Sequence, residues 1–138
     1  MSIKKVIFND GVEIIPRDIS DNNTNINGIV RPSLVFKFDN NNNANLTLES
    51  LSAIFSRERC DNFTIINDMN ISIYENYSLI SKLAIELEKL KDDDDNDVYI
   101  ELIVIEVAKR TESEIQYEKL VSSLKETKLA LAEVSNNK

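Results

Sequence analysis

The segment from Val98 to Lys109 contains no Gly or Pro and is apolar on both faces of an extended chain. Val98, Ile100, Leu102 and Val104 fall on one side, Ile103, Ile105 and Val107 on the other. A strand with two apolar faces belongs in the interior of a sheet covered on both sides, so this segment predicts the central strand. Directly after it, Thr111 and Glu114 form a capping box that opens a helix over about residues 111–135. With Tyr117 as position a, residues Tyr117, Leu120, Leu124, Thr127, Leu131 and Val134 recur at alternating steps of three and four. That is a coiled-coil-like seam, which Val121 and Leu129 widen. A lone helix of this length is marginal in water, so some surface has to cover the seam. Folding back on the sheet is one way to cover it. The terminal position and the Ser, Lys, Glu and Thr content favour assembly with another chain.

The rest of the chain divides at turn residues. Ile3 to Phe8 and Val12 to Ile15 flank Asn9-Asp10-Gly11, a strong hairpin signal, and Pro16 ends the second arm. Residues 18–28 are polar and Asn-rich and read as a loop. Ser33 to Asp39 reads as a strand with Leu34, Phe36 and Phe38 on one face, and Pro32 at its first position. The tract Asn40 to Asn43 interrupts it as a turn. Thr47 opens a short helix over 47–56, with a staple between Leu46 and Leu51 and an apolar stripe of Leu48, Leu51, Ile54 and Phe55. Arg57, Glu58 and Arg59 mark its exit. Phe63 to Ile66 and Ile71 to Tyr74 flank a tight turn at 67–70. Residues 79–91 fit either a strand or a helix, and Ile80 and Ile85 favour the strand. The fold class expected is α+β: a β-rich domain over 1–109, built on one mostly antiparallel sheet with one short packed helix. An amphipathic assembly helix over 110–138 follows it.

Composition excludes several function classes. The net charge of −8 leaves no basic surface to neutralise phosphates, which argues against nucleic acid and against anionic membranes. There is no His, and Cys60 is the one Cys, so the usual general base and a thiolate zinc site are both missing. Arg57 and Arg59 near Cys60 would lower a thiol pKa, but no second base accompanies it. The acidic run Asp92 to Asp97 lacks the sixth-position Gly and twelfth-position Glu of a calcium loop and reads as a solvated hairpin tip. No Gly-rich phosphate loop, signal-peptide core or membrane-length apolar run is present in the sequence. No cofactor is expected, no catalysis is expected, and the product is expected in the cytoplasm when made.

The order of these elements resembles a family. Val6-Ile7-Phe8-Asn9-Asp10-Gly11-Val12-Glu13-Ile14 opens the chain, and a strand precedes Leu46-Thr47-Leu48-Glu49-Ser50-Leu51-Ser52-Ala53-Ile54-Phe55. Ile71-Ser72-Ile73-Tyr74-Glu75-Asn76-Tyr77, a long strand and a Glu- and Leu-rich helix follow. This is similar to small tail-region proteins of tailed phages and prophages of low-GC Gram-positive bacteria. The resemblance implies a structural part of a virion or phage-tail-like particle near the baseplate, made in the bacterial cytoplasm. It also implies partners among neighbouring tail proteins and copies of itself, with a trimer as the preferred state. The assembly seam would be Tyr117, Leu120, Leu124, Leu131 and Val134. The competing reading is a small acidic phage effector that blocks a host protein, using its charge to mimic nucleic acid.

Overall fold

A computed structural model describes residues 4–40, 47–68 and 70–136, with 132–136 described by backbone alone. The expectations that rest on Ile3, Asn41 to Asn43, Leu46, Met69 and the side chain of Val134 lie outside the described residues.

The first hairpin joins β1 (Lys5–Phe8) to β2 (Glu13–Ile14), with Val6 opposite Ile14. Its turn closes through Phe8 N–H to the Val12 carbonyl at 2.9 Å and Gly11 N–H to the Phe8 carbonyl at 3.0 Å. Gly11 sits at φ 91°, which a side chain would resist.

Residues 18–28 are not a loop. They form β3 (Asp18–Ile26) and a tight turn at Asn27-Gly28, leading into β4 (Ile29–Asp39). Nine residue pairs zip the two strands together, from Asp18 opposite Lys37 to Ile26 opposite Ile29. Asn27 at φ 55° and Gly28 at φ 81° adopt the left-handed geometry that matches a two-residue turn to the strand twist. The polar composition hid this strand because β3 is an edge. Only Ile19 faces the core, 5% exposed, and the Asn and Ser side chains stand on the wet faces. Pro32 accordingly lies inside β4 instead of at its start. A residue's nitrogen and carbonyl point to the same edge, and the Pro32 carbonyl accepts from Lys109 N–H at 2.9 Å. Pro32 therefore withholds a donor from Lys109 alone, and the Lys109 carbonyl takes the Arg31 guanidinium instead, at 3.2 Å.

The expected 47–56 helix is α1 (Leu48–Ile54), and a second short helix, α2 (Arg57–Cys60), follows it where only one was expected. Thr47 caps the first reciprocally with Ser50, and Ser56 caps the second, so the Arg57-Glu58-Arg59 stretch starts a new turn where an exit was expected. Leu51 and Phe55 are fully buried, as their stripe predicts.

β5 (Asn62–Ile66) and β6 (Ile71–Glu75) pair antiparallel around a turn in which Asn67 Oδ1 accepts from Asn70 N–H at 2.8 Å. Residues 79–91 are the strand β7 (Leu79–Lys91), paired with β8 (Asp97–Ala108). The single expected sheet is two: one ordered β2-β1-β5-β6, the other β3-β4-β8-β7, both antiparallel. Phenylalanines fill the space between them. Phe8 and Phe55 meet edge to face with centroids 5.6 Å apart, and Phe36 lies 5.0 Å from Phe55 and 6.2 Å from Phe63. Each such ring contributes about 1.5–3 kcal/mol by leaving water.

β8 is central only along half its length. Leu102 to Ala108 are buried on both faces, whereas Val98 and Tyr99 are 38% and 61% exposed. Pairing of β4 with β8 stops at Leu102, so the distal half of the β7–β8 hairpin has no third strand beside it and its Val98 and Tyr99 are wet. Helix α3 (Glu112–Asn136) leaves the buried end of β8 after three connecting residues.

Candidate assembly surface

The root of α3 is built from charged groups. Arg31, on β4, is 2% exposed and Arg110, following β8, is 8% exposed. The Arg31 guanidinium donates to the carbonyls of Lys109 at 3.2 Å and Ile26 at 3.0 Å, and it pairs with Glu114 one turn into the helix. Glu114 also accepts from Thr111 N–H at 2.8 Å while Thr111 Oγ1 accepts from Glu114 N–H at 3.2 Å, which is the capping box read from the sequence. The Arg31 hydrogen bond, first of all, and the Thr111 amide hold the Glu114 carboxyl below its usual range. Glu118, one turn further, takes both Arg110 and Arg57. Arg110 N–H is fixed in turn by the Asn76 carbonyl at 2.8 Å. Three elements, β4, α2 and the end of β8, thus grip one face of the first two helical turns. Two arginines withdrawn from water cost several kcal/mol each unless paired, so Glu114 and Glu118 are tightly specified.

The seam lies elsewhere on the helix. At 100° per residue, Tyr117, Leu120, Leu124, Thr127 and Leu131 fall within an arc of roughly 80°, turned about 120° from the Glu114–Glu118 face. Their exposure follows: Tyr117 is 67%, Leu120 59%, Leu124 52% and Leu131 62% exposed. The helix does not fold back to cover them. Thr127 spends its hydroxyl on the Ser123 carbonyl at 2.9 Å, leaving no unmet donor to bury in a seam. Ile115 and Val121 are the partly covered apolar side chains, at the edge of an open cleft of about 870 Å³ between α3, α2 and Asn76. Four basic and four acidic side chains line that cleft, so it presents no net sign to a charged ligand.

The other residues singled out by sequence are accounted for structurally. Cys60 is 1% exposed, and burial, reinforced by the neighbouring Asp61 charge, pushes its thiol up to about 12. The nearby arginines do not activate it, because Arg59 is turned to Asp10 at 2.7 Å and Arg57 to Glu118. In the acidic tip, Asp92 Oδ1 accepts from Asp94 N–H at 2.9 Å and Asn96 N–H at 2.8 Å, while Lys89 and Lys91 meet Asp97 at 3.2 and 2.6 Å. Its carboxylates close their own turn.

Sequence reasoning missed the buried arginines Arg31 and Arg110, and it missed a buried carboxylate as well. Glu106, 7% exposed on β8, accepts from Ser33 Oγ at 2.7 Å and Asn22 Nδ2 at 2.8 Å. Burial pushes its carboxyl up, but the Ser33, Asn22 and Ser81 hydrogen bonds and the Lys82 charge outweigh this and leave it below its usual range. The group pins edge strand β3 to β8 across β4. A lone Glu inside an otherwise apolar run was the available signal.

Comparison with family models, with curated proteins and with solved structures finds no match to this chain. Among the described residues no helix is long and apolar enough to cross a membrane.

Proposed function

We propose that this protein is a non-enzymatic structural component of a phage tail or phage-tail-like particle, in the baseplate region, assembling through α3 with copies of itself or with a neighbouring tail protein. The observation that carries the assembly part is the pairing of a locked root with an open seam. Tyr117, Leu120, Leu124 and Leu131 stand exposed on one face of a helix anchored at its root, a contiguous apolar stripe of the kind that marks an interaction surface. The tail assignment is supported by the element order from the first hairpin to the terminal helix. Each Leu covered in a seam contributes about 1.5–3 kcal/mol, enough to offset the ordering of two or three chains. Coiled-coil packing is the geometry that suits alternating steps of three and four, and the preference for trimers rests on the resemblance to tail proteins.

The test is Leu120→Asp with Leu124→Asp, followed by light scattering and by incorporation into purified particles. The double variant is expected to fall to a smaller mass and to drop out of particles. Unchanged mass with normal incorporation would show that α3 is not the assembly element. A protein found free in infected cells, and never in particles at fixed stoichiometry, would favour the effector reading.

A further inference from the structure

β7 ends the second sheet, so the backbone groups along its outer side meet no further strand among the described residues. The other free edges are guarded. β2 has two residues, β6 five, and β3 is almost wholly polar. β7 runs thirteen residues, and its one irregularity sits between Ile80 and Lys82, leaving 82–90 regular. Along that stretch Leu83, Ile85 and Leu87 share one face at 36%, 47% and 69% exposure, while Lys82, Ala84, Glu86 and Glu88 share the other. Long, regular, apolar edges are what proteins avoid unless something pairs with them.

We propose that β7 pairs antiparallel with β7 of a second copy, about a two-fold axis at Ile85, joining two four-stranded sheets into one of eight strands. The register follows from the pleat. Residues opposite each other in an antiparallel pair point to the same face, so only registers that match like faces are open. Centring on Ile85 sets Leu83 against Leu87 twice and Ile85 against itself, giving an unbroken apolar strip. On the other face it sets Lys82 against Glu88 twice. Within one chain Lys82 meets Glu86, which leaves Glu88 to supply the cross-axis contact. Centring on Glu86 would oppose that carboxylate to itself, and centring on Leu87 would oppose Glu86 to Glu88 and Ile85 to Lys89. Like charges directly opposite are destabilising, so the charge order of β7 rejects these two registers. Centring on Ala84 would set Lys82 against Glu86, but it runs Leu87 against Ser81 at the irregularity between Ile80 and Lys82, so the regular stretch 82–88 is used in full only about Ile85. The contact is isologous and independent of α3.

The test uses the full chain carrying Leu120→Asp and Leu124→Asp, so that association through the helix does not contribute. Light scattering is expected to show a dimer, weakened roughly tenfold by Glu88→Lys and restored by adding Lys82→Glu. In the same background Ile85→Cys is expected to form a disulfide dimer on oxidation. Leu83→Cys and Leu87→Cys should each fail alone and cross-link when mixed, because only the mixed pair is directly opposed. Cys60, 1% exposed, does not compete. A monomer in which Ile85→Cys does not cross-link overturns the proposal, as does cross-linking of Leu83→Cys alone at the rate of Ile85→Cys. Neither outcome bears on α3, which is judged by the mass of the chain with its helix intact.

Discussion

Replacing Glu114 by alanine tests whether the helix is held by its charged root. The substitution removes the cap on Thr111 N–H, 2.8 Å away, a loss of about 1 kcal/mol. It also strips the carboxylate from Arg31, which is 2% exposed. Breaking a fully buried pair from one side costs about 3–5 kcal/mol. Here Arg31 retains the Lys109 and Ile26 carbonyls at 3.2 and 3.0 Å, and the Glu114 side chain is 28% exposed. The pair's share therefore falls to about 1–3 kcal/mol, for a total of about 2–4 kcal/mol. Because the chain has no Trp, unfolding in urea is best followed by far-ultraviolet circular dichroism. Glu112→Ala, in the same turn but exposed, is the control and should lie within about 0.5 kcal/mol of the parent. A Glu114→Ala loss no larger than that of Glu112→Ala would refute the idea that the root is tightly specified. Coupling below about 0.5 kcal/mol in a cycle with Arg31→Met would do the same.

Two further outcomes follow from the titrating groups. Glu106 and Glu114 both have folded carboxyl pKa values below the unfolded one, so their stabilisation is complete above the unfolded value of 4.5 and is lost as pH falls through the folded values. Midpoints in urea should be flat from neutral pH down to the unfolded value and then drop, and Glu106→Gln should flatten that drop while lowering the neutral-pH midpoint. Cys60, with its thiol pushed up to about 12, should resist a thiol reagent in the native protein and react at once in urea. Rapid native labelling would mean that α2 opens readily.

What the sequence disclosed was governed by whether one residue pattern had one physical meaning. The Asp10-Gly11 hairpin, the Thr47 cap and the Thr111–Glu114 box were legible because each depends on contacts three or four residues apart. The strand over 18–26 was not, since its pairing rests on Asn27-Gly28 and on a partner strand, and edge position removes the apolar alternation that would announce it. Splitting the core between two sheets depends on Phe8, Phe36, Phe55 and Phe63 meeting across long stretches of chain, which no local window contains. The apolar stripe of Tyr117, Leu120, Leu124 and Leu131 on α3 was readable from spacing alone. Its mounting was not, because Arg31 lies 83 positions from Glu114.

The mounting makes α3 a mechanical lever. A helix of 25 residues is about 37 Å long, yet it is gripped over only its first two turns. A tilt of about 10° at the arginine root would sweep the far end through about 6 Å, more than the rise of one full turn. Small adjustments where Arg57 and Arg110 share Glu118 would therefore become large changes in where Leu131 stands, and in the proposed assembly copies joined near their helix tips would hold their bodies at different angles.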